Sequence, residues 1–137
     1  MVTHMLTGAL PTIVVSETEE LALTNLATQL GQRNPRDFVA RTLLAEMQRA
    51  KIVADEEVPR TAVRMNSVVT FEVDGAEKRT ARLTFPAQAD IGKGNISILT
   101  PIGTALIGLS PGQSMRWHGM DQKPHVLRVL SVVPPEE

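Results

Sequence analysis

Cysteine and tyrosine are absent from the 137 residues, and the aromatics amount to one tryptophan and three phenylalanines. Without thiols there is no disulfide, no thiolate nucleophile and no Cys-ligated zinc, and a reducing cytosol fits that composition. Long apolar runs are missing too: the longest stretches are about five residues, against the ~20 needed to cross a bilayer. The N-terminus has no basic region followed by an apolar signal core, so a cytoplasmic location and no membrane partner are expected. Charge of one sign is not in excess either. Lys and Arg number 14 against 15 Asp and Glu, for a net charge of -1. No global positive field exists to hold phosphates, which disfavours direct nucleic-acid binding and makes a protein surface the expected partner.

What is present is ordinary for a globular chain, with 42% hydrophobic and 21% charged residues. The length suits one compact domain with a small appendage that borrows stability from it. Met1 to Leu10 shows no clear periodicity and is given no role. Ser16 followed by Glu19 forms a capping box that starts a helix. Leu23, Leu26, Ala27 and Leu30 then fall on one stripe, and Gly31 is expected to end it. Asn34-Pro35 opens a second helix by the same logic, with Val39, Ala40, Leu43, Leu44, Met47 and Ala50 inward and Arg36, Arg41, Glu46 and Arg49 mostly elsewhere. The short connection predicts a short antiparallel helical hairpin over residues 12–51. Helices of roughly 15 residues, about 22 Å at ~1.5 Å each, need a surface to lean on. Residues 52–62, with Asp55-Glu56-Glu57 and Pro59, read as a linker.

From Val68 the apolar period changes to two. Val69, Phe71 and Val73 alternate with Val68, Thr70 and Glu72, Asp74-Gly75 signals a tight turn, and Ala81, Leu83 and Phe85 return. Ile96 to Leu99 predicts a third strand. Pro101 to Leu109 predicts a short helix capped by Thr100, with Ala105, Leu106 and Leu109 inward. Two last strands, Ser114 to His118 and His125 to Val133, flank a turn over 119–124, and Pro134-Pro135 stops the sheet. The expected fold class is α+β, with a twisted antiparallel sheet carrying one short helix over residues 63–135.

Met65-Asn66-Ser67-Val68-Val69, Phe85-Pro86, and above all the Ser-x-Leu-x-Pro-x-Gly-x-Ala-Leu-x-Gly-Leu pattern of Ser97 to Leu109 resemble the C-terminal domain shared by Gre-type transcript-cleavage factors and the Rnk family. Pro11-Thr12-Ile13 and the short hairpin leading to Val58-Pro59 are similar to the Rnk branch. The resemblance implies an FKBP-like C-terminal domain and docking of RNA polymerase near the secondary-channel entrance, on the rim helices of its largest subunit. It also implies that Leu99, Thr100 and Pro101 are the partner-binding positions, with Leu99 where related factors carry an acid. Regulation of nucleoside diphosphate kinase levels is implied as an indirect outcome.

Chemistry finds little support. Cleavage factors are similar in plan but present paired acids at the tip of a longer coiled coil, to help hold a metal ion. Here the tip, Gly31 to Asp37, has one acid, Asp37, expected at a helix start among arginines. A prolyl isomerase needs an aromatic-lined pocket, and Phe71 and Phe85 sit at core positions of strands while Phe38 lies in the hairpin. His4, His118 and His125 lack metal-ligand spacing, although His118 and His125 flank one turn. Gly92-Lys93-Gly94 is not a phosphate loop. Trp117 is evenly balanced between core residue and interface anchor. No catalytic residue, metal, cofactor or small-molecule substrate is expected. The rivals to a non-enzymatic regulator are a cleavage factor proper, a prolyl isomerase and a self-associating hairpin.

Overall fold

The computed structural model describes residues 10–76, 78–118 and 123–135. Met1 to Ala9 and residues 119–122 of the expected last turn lie outside them. The elements are β1 (Val14–Ser16), α1 (Glu17–Arg33), α2 (Phe38–Arg49), β2 (Lys51–Val53), β3 (Val68–Val73), β4 (Lys78–Thr84), β5 (Asn95–Ser97), α3 (Pro101–Leu106), β6 (Ser114–His118) and β7 (Pro124–Val133). Single 3-10 turns occupy Asp55–Glu57, Pro86–Gln88 and Ile91–Lys93. The architecture is a mixed helix and sheet fold with the long helices first.

Ser16 caps α1, its hydroxyl accepting from the Glu19 N–H at 3.0 Å. Gly31 does not end the helix: α1 runs on to Arg33, and Asn34 is the cap, its N–H donating to the Leu30 carbonyl. Nor does Asn34 start α2. Asp37 does, accepting from the Ala40 N–H at 2.9 Å, while Asn34 and Pro35 form the connection. A carboxylate there both satisfies an orphan N–H and faces the positive end of the helix dipole, which outweighs the Asn-Pro signal. Leu23 and Ala27 of α1, and Ala40, Leu43 and Met47 of α2, are buried as expected. Glu46 is buried too, 4% exposed, against expectation. Arg49 makes this tolerable: its Nε and Nη2 donate to the two Glu46 carboxylate oxygens at 2.8 and 2.9 Å, and its Nη1 reaches the Pro11 carbonyl at 2.6 Å.

The stretch expected as a linker is structured. Lys51–Val53 pairs in parallel with Val14–Ser16, a two-stranded sheet that the sequence concealed because each strand is three residues long. Ala62 and Val63 beyond it are 1% exposed. The segment entering β1 is held from several sides: the Val14 N–H donates to the Gly108 carbonyl, the Lys51 N–H to the Ile13 carbonyl, and the Gln113 amide to the Thr12 carbonyl. Gly108 makes this approach possible. It adopts φ +81°, and a Cβ placed there would lie 2.7 Å from the Ile13 Cβ. Gly108→Ala is therefore expected to cost about 2 kcal/mol, combining left-handed strain with overpacking, measurable by urea unfolding.

The larger sheet has the order β5-β4-β3-β7-β6. β3 pairs antiparallel with β4 and β7, and β6 with β7, but β5 runs parallel to β4, which corrects the all-antiparallel expectation. The 3-10 turns at Pro86–Gln88 and Ile91–Lys93 carry the chain back across the sheet end, so β5 enters in the direction of β4. Asp74 and Gly75 both take positive φ and the Ala76 N–H donates to the Val73 carbonyl, as a tight hairpin turn requires. The core is one cluster that joins Leu23, Leu43 and Met47 of the helices to Val63, Phe71, Leu106 and Leu127 of the sheet half.

At the start of α1 lies a group of acids. Thr18 donates through N–H and hydroxyl to the Asp55 carboxylate, tying the 3-10 turn to the helix. Glu19 turns away from its own helix cap: Oε1 accepts from the Met65 N–H at 3.4 Å and Oε2 lies 3.4 Å from Arg64 Nε. Burial raises the Glu19 carboxyl above 4.5, partly opposed by the Arg64 charge and the Met65 N–H. Because folding favours its protonated form, its stabilising contribution is full below 4.5 and disappears as pH rises through the raised value. Asp55 behaves oppositely: the Thr18 hydrogen bonds lower it below 3.8, so its contribution is lost as pH falls through that lowered value. Glu19→Gln is expected to flatten the stability curve just above pH 4.5 and leave the Asp55-dependent limb below 3.8 unchanged, read from urea unfolding at stepped pH.

Candidate functional site

The segment Ser97 to Leu109 owes its small and polar residues to a tight local design. Ser97 Oγ accepts from the Leu99 N–H at 2.9 Å, and the Ser97 carbonyl accepts from the Thr100 hydroxyl at 2.8 Å. The same Thr100 oxygen accepts from the Gly103 N–H at 3.0 Å, making it the N-cap of α3, with Pro101 at the first helical position as expected. Thr104 is 1% exposed and donates its hydroxyl to the Ile98 carbonyl at 2.9 Å. Ala105, Leu106 and Leu109 are buried.

The three expected partner-binding positions thus differ in what they offer. Leu99 is half-buried and packs on the core. Thr100 has its hydroxyl engaged as both donor and acceptor. Pro101 faces outward into two clefts. Trp117 is half-buried on β6 and borders both of these and a third. Its indole Nε1 is buried without a hydrogen-bond acceptor among the described residues. Its ring lies 4.9 Å from that of His125, at a 32° tilt. His125 Nδ1 is 2.7 Å from an Asp74 carboxylate oxygen, so this histidine engages Asp74 across the sheet.

The clefts have different walls. One of about 130 Å³ lies between Phe38, Val39 and Thr42 of α2, Thr104 of α3, and Met115 on β6. Another of about 430 Å³ runs past Ile91, Ile96, Pro101 and Ile102, with Arg79 at its side. The third, about 310 Å³, lies toward Val73 and His125 and shares Arg79, Ile102 and Trp117. Phe38, expected to belong to the hairpin alone, is brought beside Pro101 and Trp117. Ile91 was not singled out from the sequence, although an isoleucine between Asp90 and Gly92 in a polar loop is a visible anomaly. Arg79 and Arg116 carry no local signal of their own: both are exposed, Arg79 at the end of the β4 face that carries Ala81 and Leu83, Arg116 on the β6 face opposite Met115 and Trp117. No group of three or more His, Cys, Asp or Glu that could hold a metal occurs among the described residues. No helix among them is long and apolar enough to cross a membrane.

Among solved structures, the chain is similar to "Prokaryotic transcription elongation factor GreA/GreB from Nitrosomonas europaea", at 35% identity and a TM-score of 0.70, covering 89% of this chain and 99% of that one. A fold with leading helices, a mixed sheet and the Ser97 to Leu109 cap-and-proline design define a Gre-related transcription regulator. Residues 58–134 match the family described as "Transcription elongation factor, GreA/GreB, C-term", and the chain belongs to that family. It is a homologue of the "Regulator of nucleoside diphosphate kinase" of Escherichia coli K12, 32% identical over 108 residues, 78% of each chain. The "Transcription elongation factor GreA" of Thermodesulfovibrio yellowstonii is 31% identical over 74 residues, covering 53% of this chain and 47% of that protein.

Proposed function

We propose that the protein is a non-enzymatic regulator that docks on RNA polymerase near the secondary-channel entrance, on the rim helices of the largest subunit, and competes there with Gre-type factors. In this reading residues 63–135 are the FKBP-like docking module. Residues 12–51 form a short antiparallel hairpin, and any effect on nucleoside diphosphate kinase levels is indirect. The carrying observation is the hairpin tip. Its one acid, Asp37, is spent capping α2, and its neighbours are Arg33 and Arg36, so no pair of carboxylates is available to help hold a metal ion. The 17 residues of α1 reach only about 25 Å at ~1.5 Å per residue.

The test is a mixture of purified protein, bacterial core polymerase and a cleavage factor. Co-elution with polymerase and displacement of the cleavage factor, with no shortening of nascent RNA in stalled complexes, is the expected result. Absence of both co-elution and displacement rules the reading out, and RNA shortening by this protein alone makes it a cleavage factor instead.

A further inference from the structure

The five-stranded sheet has two faces, and the helices cover one of them. Val69, Phe71, Leu83, Met115 and Leu127 point into the cluster that holds Leu23 and Leu43 of the helices. The residues that alternate with them point the other way, and Lys78, Thr80, Arg116, Arg128 and Ser131 among them are exposed. We propose that this outer face binds the phosphate backbone of a nucleic-acid duplex, without sequence preference, through Lys78, Arg82, Arg116 and Arg128. The inference does not rest on the polymerase reading, whose docking positions belong to the α3 side.

The near balance of charge along the whole chain is not shared by this face. An ordinary solvated sheet face mixes the two signs. Here the strand positions of the outer face carry four cations and one carboxylate, Glu72. Register gathers them: Glu72 stands between Lys78 of β4 and Arg128 of β7, and Arg128 stands level with Ser114 of β6, two residues before Arg116. None of the four cations has an ion pair among the described residues. Arg82 is held in place, its Nη1 donating to the Asn66 carbonyl at 2.9 Å, which leaves its charge uncompensated. At the hairpin end, the Asp74 carboxylate is engaged by the Val126 N–H and His125.

The spread of the cations fits a polymer of repeated charge. Arg82 lies level with Val68, and Arg128 with Glu72 four residues further along β3, about 13 Å at ~3.3 Å per residue. Arg116 lies level with Val126, about 7 Å beyond, and the order β4-β3-β7-β6 separates it from Arg82 by roughly 14 Å across the strands. One small anion cannot touch both corners, whereas a duplex carries a charge every ~1.7 Å of its axis.

The uncharged groups of the face decide between a nucleic acid and an acidic protein. Thr70, Thr80, Ser114 and Ser131 stand among the cations, and hydroxyls with Lys and Arg are the set that contacts phosphate and sugar. A protein interface needs apolar or aromatic anchors at its centre. The large exposed apolar residues here, Val126 and Val133, sit at opposite ends. Phe71 and Trp117 alternate onto the helix side, so no aromatic ring of these two is offered for unpaired bases to stack on, and the contact falls to the backbone of paired strands.

The test is fluorescence anisotropy with a labelled DNA duplex of about 20 base pairs, titrated with the full chain at stepped salt. Lys78→Glu with Arg128→Glu is expected to raise Kd about tenfold or more, and to reduce the slope of log K against log salt by about 0.9 for each cation reversed. Arg36→Glu with Arg41→Glu changes the net charge equally on the helical side and is expected to leave Kd within about threefold. Glu72→Gln, which removes the one opposing carboxylate, is expected to tighten binding about twofold or more. These are exposed or half-buried surface positions, so the variants are expected to keep the wild-type thermal unfolding curve. No binding at low salt, or equal losses in the two double variants, overturns the proposal. Single-stranded RNA bound more than about tenfold tighter than the duplex overturns it as well, by requiring base contacts. A polyglutamate peptide that binds as tightly as the duplex, with the same loss on charge reversal, reassigns the face to an acidic protein surface. None of these results bears on co-elution with polymerase.

Discussion

Replacing Gly103 by alanine is expected to destabilise the protein by about 3 kcal/mol or more, and to abolish the proposed docking on polymerase in whatever folds. The reason is distance. A Cβ at Gly103 would lie 2.2 Å from the Ser97 carbonyl oxygen, 3.0 Å from Ile98 Cα and 3.0 Å from Thr100 Oγ1. Two of these are backbone atoms of the segment that delivers α3, so no rotamer change relieves the clash. The whole cap must move, and with it Pro101. Helix propensity works in the other direction, favouring alanine by about 1 kcal/mol, and is outweighed. Gly31 is the internal control, because its added Cβ would meet only the Ala40 Cβ at 4.0 Å. Gly31→Ala is expected to stabilise by roughly 0.5–1 kcal/mol, since the residue lies inside α1 rather than beyond its end. Equilibrium urea unfolding of the two variants separates the effects. Equal, small changes in both would show that α3 is free to shift away from Ser97.

Leu43→Ala is expected to cost about 2–5 kcal/mol, the range for emptying a fully buried leucine site. Leu43 is 0% exposed and belongs to the same cluster as Val63, Leu106 and Met115 of the sheet half. A cavity there weakens both halves together. The urea midpoint should therefore fall by the same amount whether followed by helical circular dichroism or by fluorescence of Trp117, the one tryptophan, and the slope should stay unchanged. A helical signal lost well before the fluorescence signal would mean that the two helices unfold as a separate unit, and that the shared core contributes little to their stability.

Periodicity and capping chemistry made most of the elements legible. Leu23 and Ala27, Leu43 and Met47, Val69 and Phe71, Leu127 and Val129 are all buried where spacings of three to four or of two placed them. Thr100-Pro101 marked the start of α3 to the residue. Boundaries decided by competition between neighbouring polar residues were misread, because Asn34-Pro35 and Asp37 are both adequate helix starts and the Asp37 carboxylate, which caps the Ala40 N–H at the positive end of the dipole, outcompetes Asn34. The β1–β2 pair was invisible, since three residues carry too little pattern and its register depends on a partner 37 positions away. The direction of β5 was equally hidden, because alternation names a strand but not which way it runs.

The candidate site divides along the same line. The residue types of Ser97 to Leu109 and the lack of a paired acidic tip are properties of the chain itself, and they carry the family and the argument against cleavage chemistry. That Phe38 sits beside Pro101 and Trp117, and that Glu46 is buried under Arg49, came only from the tertiary structure. Local sequence determines which groups a short segment presents and how its backbone is capped. Which groups from distant segments meet is set by how the helices lie on the sheet, and that packing is a long-range property no single stretch encodes.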